Sequence, residues 1–182
     1  MSIGAEFPAV LRAAQAGSQD AIARLYRDLN PPLLRFMRAR AGDATEDLAQ
    51  DTWSSVARQL AGFTGPEASF RAWFFTIAHR RLVDHWRRTA RQHDAPAPIE
   101  EIESKLGAAL PDDALSADAA VQALLAPLTD DQAEIVLLRV VAGLSVDEVA
   151  AIVGKRPGAV RVVQHRALRK LATHLGSSAV TP

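Results

Sequence analysis

The sequence predicts an all-α protein of two small helical domains. Three observations carry that prediction. Apolar residues recur at helical spacing along most of the chain, capping and breaking residues punctuate those runs, and no stretch alternates as a strand would. At 182 residues and 48% hydrophobic side chains the chain can bury real cores, which excludes wholesale disorder.

Taken in order, Ser18 is placed as the N-cap of a helix with Ile22, Leu25, Tyr26 and Leu29 on one face. Pro31 and Pro32 are expected to interrupt or kink it before Leu33, Leu34, Phe36 and Met37 resume the stripe. Gly42 and Asp43 mark a turn, with Asp43 and Glu46 as caps for the next helix, over residues 45–60. Its apolar set is Leu48, Thr52, Val56 and Leu60, leaving Asp47, Gln50, Asp51 and Ser54 on other faces. Gly62 and the Gly65–Pro66 pair form a loop, and a long helix is expected from about Glu67 to Gln92. Its first half is aromatic (Phe70, Trp73, Phe74, Phe75) and its second half basic (Arg80, Arg81, Arg87, Arg88, Arg91). Phe70, Phe74 and Ile77 are read as core, whereas Trp73 and Trp86, beside arginines, also suit stacking on unpaired bases.

Composition shifts at Asp94. Pro96, Pro98 and Pro111 make residues 94–116 read as an acidic linker, dividing the chain into domains 1–93 and 117–182. Residues 117–126 form a small helix ending at Pro127, and three further helices follow. Thr129 with Gln132 is a capping box opening the first, which Gly143 stops; Ser145 with Glu148 is a second box, and its helix ends at Gly154. Pro157 fits the first turn of the third helix, which carries Val160, Val163, Ala167 and Leu171. Two short helices about a tight Gly-containing turn, the second rich in Arg and Lys, form a helix-turn-helix pattern.

The zero net charge hides a strong segregation. Residues 71–93 carry +5 and residues 149–182 carry +6, while 94–148 carry −10 and 1–70 carry −1. One basic block is an ordinary solvated face as readily as a site; two, separated by an acidic stretch, point to two anionic contacts.

Catalysis is the poorer class. No cysteine is present, so disulfides, thiolate nucleophiles and thiolate metal sites are excluded together. His79 and His85 are six apart and do not share a face as a zinc-binding pair would; no phosphate-binding glycine loop or serine nucleophile elbow occurs. The paired carboxylates Asp112–Asp113 and Asp130–Asp131 lie in breaks and caps, where acidic residues belong anyway. No enzyme, metal or cofactor is expected. The first ten residues lack a leader's basic and apolar regions, and no apolar run reaches a membrane span, so a cytoplasmic protein with no membrane insertion is expected.

Three stretches now carry a resemblance: Asp43 to Trp53 (DATEDLAQDTW), Phe70 to Asp84 (FRAWFFTIAHRRLVD), and Leu128 through Leu171. In this order, with a linker before the last, the chain resembles the bacterial sigma factors of the sigma-70 family, in the extracytoplasmic-function group. The resemblance implies a region 2 domain that binds core RNA polymerase at the β′ clamp helices and opens the −10 promoter element. It further implies a region 4 domain that reads the −35 element beside the β flap, and an anti-sigma factor as a common inhibitory partner of relatives. Carried over residue by residue, Asp47, Gln50, Asp51 and Trp53 are expected to face the polymerase, where carboxylate and amide edges pair with basic side chains. Phe63, Trp73 and Phe74 are candidates for the surface that receives −10 bases, with Arg71, Arg80, Arg81, Arg87 and Arg88 for its phosphates. In the last helix Arg156, Arg161, His165 and Arg166 are the candidates to meet −35 DNA, with Lys155 and Arg169 serving phosphates or solvent. Arg161 and Arg166 stand about 140° apart around a helix, so one reads guanine and the other holds phosphate. The acidic linker, with Glu100, Glu101 and Glu103, is expected to imitate RNA within the polymerase.

The sequence departs from the family at Val162–Val163, where relatives often carry a hydroxyl and an arginine, and at Gln164, where an apolar residue is common. The competing reading is a LuxR-like regulator, since residues 128–171 fit that reader nearly as well; a third is an adaptor whose basic blocks bind an acidic partner.

Overall fold

The computed structural model describes residues 3–93 and 121–178, so the linker, its glutamates and the first four residues of the small helix expected over 117–126 lie outside the described residues. Among the described residues there is no strand. The N-terminal body contains α1 (Phe7–Gln15), α2 (Gln19–Ala41), α3 (Thr45–Gln59) and α4 (Glu67–His93). The C-terminal body contains α5 (Asp130–Val136), α6 (Val146–Val153) and α7 (Pro157–Ser178), preceded by helical residues 121–125.

α1 opens without a side-chain cap to announce it in the sequence. Phe7, Val10, Leu11 and Ala14 fall at i, i+3, i+4 and i+7 and are buried, with Pro8 in the first turn, where its missing N–H costs nothing. The Glu67 carboxylate accepts from the Ile3 and Gly4 amides at 2.8 Å each, tying the start of the chain to the start of α4.

Ser18 caps α2 through a bond from the Ala21 amide, and the helix then runs through Pro31 and Pro32 without interruption. The two prolines remove two backbone donors, but Leu29, Leu33, Phe36 and Met37 hold one buried stripe across them. Packing outweighs the local break: Phe36 and Phe75 meet edge-on with centroids 6.0 Å apart, and burying such a ring contributes roughly 1.5–3 kcal/mol. The Asp43 cap is also corrected. A 3-10 turn (Gly42–Ala44) intervenes, and α3 opens at Thr45, whose Oγ1 donates to the Gly42 carbonyl at 2.6 Å.

In the C-terminal body both capping boxes are present, at Thr129–Gln132 and Ser145–Glu148. Gly154 closes α6 in the left-handed conformation (φ 68°, ψ 31°), and Val160 and Ala167 bury the inner face of α7. The sequence does not announce the π turn that continues α5 over Leu137–Val141, where the Ala142 amide donates to the Leu137 carbonyl at 3.0 Å.

The two bodies pack together. Buried residues run from α2 and α4 into Leu125, Ile135 and Leu138 as one continuous apolar cluster. Arg40 Nη1 lies 2.9 Å from Asp130 Oδ1, and Gln122 Nε2 donates to the Arg38 and Ala39 carbonyls at 3.2 and 3.3 Å. His79 Nε2 lies 2.8 Å from Glu134 Oε1. Among the described residues no helix is long and apolar enough to cross a membrane.

Candidate nucleic-acid interface

α3 separates its faces as the spacing demands. Leu48, Thr52 and Val56 are buried, and Asp47, Gln50 and Asp51 are exposed, lining an open groove against His85, Arg88 and Thr89 of α4. Acidic α3 and the basic end of α4 thus share one surface. Trp53 does not line it: it stands about 120° and 160° around the helix from Asp47 and Asp51, and although only about 60° from Gln50 it turns toward α2. Its Nε1 donates to Asn30 Oδ1 at 3.0 Å, and its ring packs 4.9 Å from both Tyr26 and Phe74. It secures α3 to α2.

The loop before α4 presents an aromatic ledge. Phe63 and Trp73 lie 5.1 Å apart, both partly exposed, over the buried ring of Phe70. Gln15 Nε2 fastens the loop by donating to the Leu60 and Phe63 carbonyls at 3.0 and 2.8 Å. Gly65 adopts φ 143°, and a Cβ there would stand 3.4 Å from the Phe63 ring, so glycine is what lets the ledge close.

Along α4, Trp73, Arg80, Arg87 and Arg91 fall within about 40° of one another, and the three arginines are exposed. Arg91 joins the site here; its signal was its spacing of eleven from Arg80 and four from Arg87, three and about one helical turns. Arg88 is exposed on the flank, its Nε donating to the Asp84 carbonyl at 3.3 Å.

Three other α4 candidates are placed differently. Phe74 is 0% exposed, so its ring offers nothing to a base and belongs to the core. Arg71 turns inward to Asp28, Nη2 to Oδ2 at 2.5 Å, with side chains 18% and 8% exposed. Burial pushes the Asp28 carboxyl above its ordinary value, against the pull of the Arg71 guanidinium. Arg81 donates to Ser55 Oγ at 2.6 Å, bracing α4 against α3. Trp86 is also engaged, donating to the Arg40 carbonyl at 3.2 Å with the Arg40 guanidinium 4.7 Å from its ring centre.

In α7 the exposed face holds Gly158, Arg161, Val162, His165, Arg166 and Arg169. Arg156 is exposed just before the helix, and no ion pair among the described residues engages Arg156, Arg161, Arg166 or Arg169. Lys155 is paired with Asp131, Nζ to Oδ2 at 2.8 Å. Gln164 finds its use inside: Arg139 donates to it through Nε at 3.2 Å and to the Leu144 carbonyl through Nη1. The polar residue that replaces a common apolar one thereby ties the π turn, where Arg139 sits, to α7.

Comparison with known proteins agrees with this division. Residues 25–92 match the family described as Sigma-70 region 2, and residues 118–171 match Sigma-70, region 4. The chain is 34% identical over 176 residues to the ECF RNA polymerase sigma factor SigD of Mycobacterium tuberculosis, covering 92% of this chain and 83% of that one. It is 36% identical to the ECF RNA polymerase sigma factor ShbA of Streptomyces griseus, covering 90% and 92%. Among solved structures it resembles CnrH in complex with the cytosolic domain of CnrY (TM-score 0.65, 24% identity, 92% of this chain and 96% of that one). It also resembles the sigma factor RpoE in complex with the anti-sigma factor NepR from Bartonella quintana (TM-score 0.63, 24% identity, 85% and 96%).

Proposed function

Because this chain belongs to the extracytoplasmic-function group of the sigma-70 family, we propose that it grips a promoter at two separate surfaces while seated on core RNA polymerase. Its function as a sigma factor is to direct promoter-specific transcription initiation. The LuxR-like reading is not favoured, since it leaves the match over residues 25–92 without an explanation.

The observation that carries the two-surface reading is the distribution of exposed cations. Arg80, Arg87 and Arg91 extend one way from the Phe63–Trp73 ledge, and Arg156, Arg161, Arg166 and Arg169 gather around α7, which bears no acidic side chain. In this reading the ledge stacks on bases leaving the −10 duplex, and the α4 arginines hold the phosphates beside them. α7 enters the major groove at the −35 element, with Arg161 and Arg166 on opposite flanks and His165 between them. Asp47, Gln50 and Asp51 form the polymerase-facing edge, pairing with basic side chains of the β′ clamp helices, and the region 4 body sits near the β flap.

The domains are taken as residues 1–93 and 117–182, joined by the linker 94–116. The protein acts as a polymerase subunit without a catalytic step of its own, and it works in the cytoplasm, where its polymerase and promoter are. An anti-sigma factor is a further partner; support comes from the RpoE structure, solved with one.

The test is reconstitution. Core polymerase alone should not initiate at the chain's promoters, and adding the chain should give discrete start sites that depend on both elements. Asp51→Lys should lower recovery of the chain on core polymerase at unchanged helix content. Transcription that tolerates loss of either element would sink the two-grip assignment.

A further inference from the structure

We propose that Val162 reads the 5-methyl group of a thymine in the −35 element, making it a specificity residue rather than a neutral replacement for a hydroxyl. The inference rests on the reading of α7 as the −35 helix. An exposed valine by itself means little, because apolar atoms supply much of any protein surface. Its setting is what carries the argument.

Val162 is 49% exposed, in the second turn of α7. It lies about 140–160° around the helix from the buried pair Val160 and Ala167, near the centre of the outer face. Gly158, one turn earlier, adds no side chain to that face, and Arg169, two turns on, lies within about 20° of Val162. His165 and Arg166 stand about 60° and 40° to its two sides, and Arg161 lies beyond His165. An apolar tip is therefore ringed by cations at the end of the helix that enters a groove first.

The major groove then limits what such a tip can recognise. Guanine, adenine and cytosine present acceptors or donors at this edge, and a valine placed against them would strip water without replacing its hydrogen bonds. Thymine presents a methyl group, which a branched apolar side chain can cover. The Arg139–Gln164 bond fixes the rotation of α7 against the π turn, so the face that carries Val162 is held outward. The flanking arginines reach guanine or phosphate, while Val162 adds preference without charge.

Uracil tests this directly, since it differs from thymine only in lacking that methyl. The reconstituted holoenzyme is first used to select its preferred −35 sequence from randomised duplexes. Each thymine of the selected element is then replaced by uracil and binding is measured. One position should lose about threefold to fivefold, the size expected for one buried methyl. Val162→Ala should bind the thymine and uracil duplexes equally well, with other positions unchanged. The inference is overturned if no thymine responds to loss of its methyl, or if Val162→Ala keeps the full response. A holoenzyme that selects no −35 sequence would remove the underlying reading of α7 itself, an outcome distinct from both.

Discussion

His79 on α4 meets Glu134 on α5 with Nε2 and Oε1 2.8 Å apart, joining the two bodies through side chains only 15% and 13% exposed. Polar groups so enclosed are costly to leave alone. Glu134→Ala should destabilise the whole chain by about 1–3 kcal/mol, read by urea denaturation. A variant as stable as the parent would show that water replaces the contact freely.

The Arg71–Asp28 pair makes a prediction with a definite pH sign. Removing the guanidinium in Arg71→Ala leaves the Asp28 carboxylate buried without its counter-charge, at a loss of roughly 3–5 kcal/mol near neutrality. A carboxyl whose pKa is higher folded than unfolded holds more protons when folded. Its contribution therefore falls as pH rises from the ordinary 3.8 through the raised folded value. The variant's deficit should shrink on acidification into that window and be full above it. Denaturation curves across pH check this, and a deficit independent of pH would count against the buried charge as its cause.

Trp73→Ala removes one wall of the aromatic ledge and no part of the fully buried core. Duplex opening at the −10 element should weaken by about 1–3 kcal/mol, the usual worth of one stacked base, measured with a fluorescent base analogue in the open complex. Binding to a promoter already unpaired over that element should suffer similarly. Intact opening would move the stacking role away from the ledge.

Arg161→Ala should cost about 1–3 kcal/mol in promoter binding and relax preference at a single −35 position if the side chain meets a base edge. If it holds a phosphate, the loss is uniform across sequences and the salt dependence of binding becomes shallower. Titrating holoenzyme binding against salt with matched and mismatched −35 duplexes separates these outcomes.

Caps, breaks and stripes were legible because each is a local pattern with a local cause. Thr129–Gln132 and Ser145–Glu148 form the reciprocal bonds their spacing implies, and Gly154 takes the left-handed turn expected of it. What escaped the sequence depended on partners far along the chain. α2 passes through Pro31 and Pro32 because its neighbours bury the stripe on either side. Phe74 reads from the sequence both as core and as a candidate to receive bases, and its packing against Trp53 of α3 leaves it only the first. Arg71 and Arg81 read as two more cations in a basic helix until Asp28 and Ser55 come within reach. The family resemblance supplied the roles, and tertiary contact sorted which side chains remain available for them.

The packed arrangement of the two bodies has a consequence for reach. Elements named −10 and −35 are separated by roughly 25 base pairs, or about 85 Å of duplex at 3.4 Å per step. Residues 94–120, drawn out fully, span at most about 90 Å, so the chain is long enough to cover that distance, but not with His79 still against Glu134. Closed and promoter-spanning forms are therefore exclusive states of one molecule, and the apparent promoter affinity scales with the fraction that is open. Because the chain has no cysteine, His79→Cys with Glu134→Cys gives two unique attachment points. A short bis-maleimide bridging them should abolish initiation that needs both elements, while the same double variant left unbridged initiates at least as well as the parent.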